Sequence, residues 1–239
     1  MTELAHYAQE DHVAVITLDD AKANALGPEM VASINRALDR AEGEAKAVVL
    51  VGRAGRFCAG FDLRVLMSGA ESARPLVLAG CELFLRVFSF PTPLVAACTG
   101  HAVAGGALIL LGADVRVGAQ GAFKIGLTEV QIGIPLPKLV WMLARDRLDV
   151  RQCYEATLMA RVYDPAGAKA VGYLDEVVAA DEVVSRAMAR AHELTRLPLP
   201  VYARSKASMR EGIVATIRET LTEDLDKLLS VTGARPGGS

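Results

Sequence analysis

The stretch Arg56-Phe57-Cys58-Ala59-Gly60-Phe61-Asp62-Leu63-Arg64 decides the reading of this chain. It reads as the end of an apolar strand, a tight turn of small residues, and a helix that starts near Asp62. Ala59 and Gly60 lack bulk, so the backbone there can approach a ligand closely. A helix starting at Asp62 leaves unpaired N–H groups at its N-terminus, and such groups favour negative charge. A second stretch of the same kind is Gly100-His101-Ala102-Val103-Ala104-Gly105-Gly106-Ala107-Leu108. Two such turns can aim two backbone donors at one developing oxyanion.

The 239 residues suit one large domain, or one domain with a small appendage. Hydrophobic residues make up 52 % and charged residues 23 %, which supplies ample core material. A net charge of −2, with scattered Lys and Arg, excludes a general nucleic-acid binder, which carries a basic surplus. Cys58, Cys81, Cys98 and Cys153 show no CxxC pairing and no metal-ligand spacing with the histidines. They are expected to be free, mostly buried thiols of a reducing, cytoplasmic protein that binds no metal. The first eleven residues carry Glu3, Glu10 and Asp11 and no apolar run, so no signal peptide is expected. Leu94 to Ala113 has the length of a membrane span, but Gly100, His101, Gly105 and Gly106 interrupt it. It reads as a buried strand, a loop and a buried helix, with no membrane association.

Val13 to Leu18 is β-branched and short, hence a strand. Pro28 suits the first turn of a helix to about Ala41, with Met30, Val31, Ile34, Ala37, Leu38 and Ala41 on one face. Ala47 to Val51 is wholly apolar, as in a strand buried on both faces. Residues 71–90 read as a helix ended by Pro91 and Pro93, and residues 94–98 as a further buried strand. Short strands are expected at Val115-Arg116-Val117 and at Ala122-Phe123-Lys124-Ile125. From Leu136 onward the chain reads as largely helical, with an extended piece near Glu176-Val177-Val178. The pattern is α/β, with a core over residues 1–195 and a helical C-terminal region over 196–239, punctuated by Pro198 and Pro200. Only the tail from Gly233 to Ser239 is of low complexity.

Four pieces, in this order and spacing, resemble the crotonase (enoyl-CoA hydratase/isomerase) superfamily over roughly residues 10–230: Asn24-Ala25-Leu26, residues 57–63, residues 100–108, and Ile125-Gly126-Leu127-Thr128-Glu129-Val130-Gln131-Ile132-Gly133. The resemblance implies a spiral of ββα units with a helical trimerisation region, assembled as a homotrimer or a dimer of trimers. It implies an acyl-CoA substrate, with coenzyme A present as part of the thioester and no tightly bound cofactor. The thioester oxygen would lie between the N–H groups of Phe61 and Gly105, with Gly106 the alternative second donor. Lys22 and Arg64 would meet CoA phosphates. Adenine and pantetheine would follow the backbone around Ala23, Ala25, Leu26, Ala59, Gly60, Asp62 and Leu63, and Val103 and Leu108 would face substrate. The chain's ending around Asp226-Lys227-Leu228-Leu229 departs from the family's phenylalanine- and lysine-rich C-terminus.

Of the family's two acid positions, one is Leu108 here and the other is Glu129. Hydratases use two carboxylates to add water across a double bond, whereas a double-bond shift needs one base. The motifs are closest to the mitochondrial-type Δ3,Δ2-enoyl-CoA isomerase branch, which also keeps only the second glutamate. Glu129, amid Ile125, Leu127, Ile132 and Ile134, is expected to have a raised pKa suited to moving a proton between C2 and C4. Enoyl-CoA hydratase and a non-catalytic acyl-CoA binder are the rival readings. An RNA-binding relative lacks the basic stretch it would need. Asp62 reads as a helix N-cap, His101 as a satisfied hydrogen-bond partner, and Asp114 with Arg116 as a structural pair. Trp141 either walls the acyl pocket or packs the core.

Overall fold

A computed structural model describes residues 3–233; residues 234–239 of the low-complexity tail lie outside the described residues. Two sheets carry the fold. The larger has strand order β1-β2-β3-β5-β7-β9: β1 (Ala5–Glu10), β2 (Val13–Leu18), β3 (Ala47–Val51), β5 (Leu94–Cys98), β7 (Val115–Ala119) and β9 (Glu176–Val178). β1 runs antiparallel to β2 and every other pair is parallel. All residues of β3 and β5 are buried, as parallel strands covered on both faces must be. β1 escaped the sequence reading because it is an edge strand with only Ala5 buried, so it carries little apolar signal.

The smaller sheet is parallel and has three strands: β4 (Gly55–Cys58), β6 (Gly100–Val103) and β8 (Ile125–Gly126). The chain lays one strand in the large sheet, the next in the small sheet, and then forms a helix. β3 and β4 lead to α2 (Leu63–Leu66) and α3 (Ala70–Ser89). β5 and β6 lead to α4 (Gly105–Gly112), which is buried along its whole length. This is the ββα spiral of the crotonase fold. Its consequence is positional. Three neighbouring parallel strands each release a loop at their C-terminal ends, and those loops carry Phe61, Gly105 and Glu129. Ligands of open parallel sheets bind outside such strand ends.

After the short helices α6 (Cys153–Thr157) and α7 (Pro165–Val171), α8 (Val183–Leu194) packs on one face of the large sheet through Val183, Ala187 and Ala191. The other face joins the main core with α1 (Pro28–Glu44), α3 and α4. No helix among the described residues is long and apolar enough to cross a membrane. Residues 94–113 form β5, β6 and α4 instead, so a second strand stands where a longer loop was expected.

Two expectations are corrected. Ala122, Phe123 and Lys124 are not a strand; only Ile125–Gly126 is. Lys124 lends its N–H to His101 Nδ1 (2.9 Å), which makes His101 the satisfied hydrogen-bond partner expected. Asp114 and Arg116 do not pair with each other. Along β7 they diverge: Arg116 forks onto Asp175 (2.6 Å), while Asp114 meets Lys206 (2.7 Å) and Arg210 (3.1 Å). Both partners of Asp114 lie on the long helix α9 (Leu199–Gly233), which packs on α3 and on α5 (Lys138–Arg147). Asp114 also accepts the Leu94 N–H (2.8 Å) at the start of β5. Burial pulls the Lys206 ammonium down to about 8, against the attraction of Asp114. Removing Asp114 strands two nearly buried cations. Asp114→Ala is expected to cost about 3–5 kcal/mol of stability, read as a lowered midpoint in urea unfolding.

Candidate active site

Asn24 builds the first loop. It is fully buried at φ +53°, a left-handed conformation that asparagine tolerates. Its Nδ2 donates to the carbonyls of Leu18 (2.9 Å), Phe57 (3.1 Å) and Arg56 (3.2 Å), and its Oδ1 accepts from the Asp20 N–H (3.0 Å). This pins residues 20–26 to the end of β4. The two segments then pair: Ala59 N–H to Ala23 O (3.1 Å), Leu26 N–H to Gly60 O (2.8 Å), and Asp62 N–H to Leu26 O (3.2 Å). The pairing uses the amide of residue 62 and the carbonyl of residue 60. The Phe61 N–H finds no acceptor among the described residues.

The second loop touches the first. Gly60 sits at φ +83°, and a Cβ there would lie 2.9 Å from Ala104 Cβ and 3.0 Å from the Gly105 nitrogen. A Cβ on Gly106 would meet the Cys58 carbonyl oxygen at 2.1 Å, so α4 abuts β4 only because that side chain is missing. Ala104 adopts φ +49°, ψ −120°, a strained conformation for a residue with a Cβ, and is held by its N–H on Gly126 O (3.0 Å). Gly105 is the first residue of α4, so its N–H has no intrahelical acceptor and points its share of the helix dipole outward. Gly80 was not foreseen. It lies inside α3, where a Cβ would come within 2.2 Å of the Phe61 ring, so it makes the ring's seat. A glycine within an otherwise regular helix is the signal that marks such a close approach.

A chamber of about 230 Å³ opens beside these loops. Ala59, Phe61, Leu63, Val103, Ala104 and Leu108 contribute to its wall, and among the described residues Glu129 is the only carboxylate in it. Ile132 and Ile134 share that wall with Glu129, whereas Ile125 and Leu127 lie in the core beneath. Glu129 is 9 % exposed, and its Oε2 has no hydrogen-bond partner among the described residues. Burial pushes its pKa from the ordinary 4.5 up to about 7. Leu108, where a second acid would stand, is a buried hydrocarbon facing the same space.

Lys22, Ala23, Ala25, Asp62 and Arg64 line a separate open groove of about 610 Å³. Asp62 caps α2 by accepting the Arg64 N–H (2.9 Å), as expected, and the same carboxylate holds the 85 %-exposed Arg64 guanidinium at 2.9 Å. Leu26 is wholly buried and serves the site through its backbone. Arg53 was missed: its Nη1 donates to the Lys22 carbonyl (2.8 Å) from 31 residues away, a proximity that no local pattern signals. Trp141 does not pack the core. It is half-exposed on a different groove, with Tyr154 and Leu158. The four cysteines are free; burial pushes Cys58, Cys81 and Cys98 up to about 12, so they stay thiols.

The family profile described as enoyl-CoA hydratase/isomerase matches residues 8–234. An enoyl-CoA hydratase/isomerase family protein from Pseudomonas syringae is 39 % identical, with a TM-score of 0.92 over 95 % of this chain and 98 % of that one. An enoyl-CoA hydratase from Mycobacterium marinum is 34 % identical, with a TM-score of 0.89 over 94 % and 99 %. Human mitochondrial delta3-delta2-enoyl-CoA isomerase is 26 % identical, with a TM-score of 0.93 over 97 % and 92 %. A protein named as a hydratase and one named as an isomerase thus share this backbone. With its spiral, its paired loops and a profile match along nearly its whole length, the chain belongs to the enoyl-CoA hydratase/isomerase family of enzymes.

Proposed function

We propose that this enzyme shifts the double bond of a 3-enoyl-CoA to give the trans-2-enoyl-CoA. One observation carries the choice: among the described residues the chamber beside the two loops holds a single carboxylate, and Leu108 fills the position of the second. Adding water requires one group to activate the water and another to manage the proton at C2. Moving a double bond requires only a base that takes a proton from C2 and returns it to C4.

In this reading the thioester oxygen accepts the Phe61 and Gly105 N–H groups, with Gly106 the near alternative for the second. As the C2 proton leaves, charge flows onto that oxygen, and preorganised donors stabilise the dienolate by about 3–4 kcal/mol each. Glu129 is the base. Its ionised form is poorly solvated, so it takes the proton readily and, neutral, waits for C4 to receive it. Lys22 and Arg64 serve the CoA phosphates along the outer groove, Lys22 as a point charge and Arg64 once its fork turns from Asp62. Ala23, Ala25, Leu26, Gly60 and Asp62 supply backbone along that path. Assembly as a homotrimer or a dimer of trimers belongs to the same reading, supported by Val201 and Met209, which stand exposed on α9. A cytoplasmic setting accords with four unpaired cysteines. Enoyl-CoA hydratase is the rival, favoured by the Mycobacterium marinum relative's name.

Offering 3-hexenoyl-CoA and crotonyl-CoA to the pure protein separates the two. Isomerisation of the first is expected to dominate, and fast hydration of the second would reverse the assignment. Activity should rise with pH through about 7, as Glu129 ionises. Glu129→Gln should lower isomerisation by about 10²–10⁴-fold. The same change should stabilise the protein. Unfolded, the group ionises near 4.5, and folded near 7, so stability falls as pH rises through that window and the full penalty stands above it. At pH 8, Glu129→Gln should therefore gain about 3 kcal/mol, read from thermal or urea unfolding.

Gly60→Ala tests the donors. Its Cβ would push the Gly105 amide away from Phe61. Turnover is expected to fall by about 10²–10³-fold, while stability drops by only about 1–3 kcal/mol.

A further inference from the structure

Ile134 lines two cavities at once. One is the 230 Å³ chamber with Phe61, Leu108 and Glu129 in its wall. The other is a wider open groove of about 970 Å³, lined by Trp141, Tyr154 and Leu158. Glu129 has no share in the groove, and Trp141 has none in the chamber. Ile134 is therefore the side chain common to both walls. Its placement is fixed from two directions. The Ile134 N–H donates to the Glu129 carbonyl (2.9 Å), closing the turn through Gly133 at φ +71°. Its side chain packs on Ala73 of α3 and on Leu228 and Leu229 of α9. Leu228 itself enters the chamber wall.

The chamber's size then has a chemical meaning. A cavity of about 150 Å³ holds one benzene, six carbons. On that scale 230 Å³ takes about nine non-hydrogen atoms, which is an eight-carbon acyl group with its carbonyl oxygen. Apart from Glu129, the only polar side chains in the wall among the described residues are Thr128 and Cys81, so a tail bearing a hydroxyl or carboxylate would be left largely unpaired there.

We propose that Ile134, backed by Leu228, is the partition that limits the substrate to medium-chain, unfunctionalised acyl-CoA esters of about eight carbons; the inference rests on the acyl-CoA reading of the site. Removing the partition joins the chamber to the groove and lifts the limit.

Saturated acyl-CoA esters of four to sixteen carbons, which cannot be isomerised, read this by calorimetry. For the unmodified enzyme, affinity is expected to rise about fourfold per methylene up to about eight carbons, and then to stop or reverse. In Ile134→Ala the rise should continue to twelve carbons and beyond. Ile134→Phe, which keeps the wall filled, should end it near six. An affinity that climbs steadily to sixteen carbons in the unmodified enzyme overturns the partition, as does an unchanged length profile in either folded variant. The proposed isomerisation is judged separately. A length limit in binding without turnover of 3-octenoyl-CoA supports the partition and removes the isomerase reading. No binding at any length removes both.

Discussion

The active region depends on backbone reaching backbone where side chains are missing. Gly60 lies against Gly105, and Gly106 lies against Cys58; at each contact a single Cβ would force the strands apart. β4, β6 and β8 can then bring three loops to one place, and the free amides of Phe61 and Gly105 come from two of them. The strain at Ala104 accompanies the same closeness: its left-handed backbone turns the chain from β6 into α4 within one residue. The fold tolerates that strain because α4 is buried throughout and fixed on both sides. Rigidity is what donors of this kind need, since they must already be aligned when charge develops.

Glu129 states the same trade in electrostatic form. An ionisable group with an unpartnered oxygen inside an apolar wall is a liability to folding. Among the described residues, no arginine or lysine lines the chamber beside it. A neighbouring cation would have relieved the folding cost, and would also have held the carboxylate ionised and made it a weaker base. Burial alone leaves the group titrating near neutrality, where taking and returning a proton are almost balanced. A reaction that ends with the base as it began, with the proton moved two carbons along, suits such a group.

Much of this was legible in the sequence, for physical reasons that vary by element. β3 and β5 announced themselves because strands buried on both faces must be apolar throughout. Both glycine-bearing loops, the cap at Asp62 and the raised pKa of Glu129 followed from local residue chemistry. What stayed hidden depends on distance along the chain. β1 is polar and edge-bound, β8 is two residues long, and Asp114 chose partners 92 and 96 residues away on α9 rather than its neighbour Arg116. The support of Phe61 by Gly80 and of Lys22 by Arg53 is likewise long-range. Local pattern names the candidate groups of the site, whereas the groups that hold them in place are named only by the fold.

The C-terminal helix shows how far that holding extends. Lys206 and Arg210 fasten the start of α9 to Asp114, beside the first residue of β5. Farther along, Arg218 pairs with Glu82 of α3, and Asp224 accepts the Lys138 N–H (2.8 Å) at the N-terminus of α5, where a helix welcomes negative charge. At 1.5 Å per residue, Leu228 lies about 33 Å along the helix from Lys206. There it reaches the chamber that holds Glu129. A helix far from the glycine loops in sequence thus supplies part of the wall that keeps water from the carboxylate. Its buried ion pairs contribute little net stability of their own. They tie one part of α9 to Asp114, and Leu228 lines the chamber farther along the same helix. Sliding α9 by one residue in one direction would put Lys227 in the place of Leu228 and set a cation beside Glu129, whereas sliding it in the other would put Leu229 there.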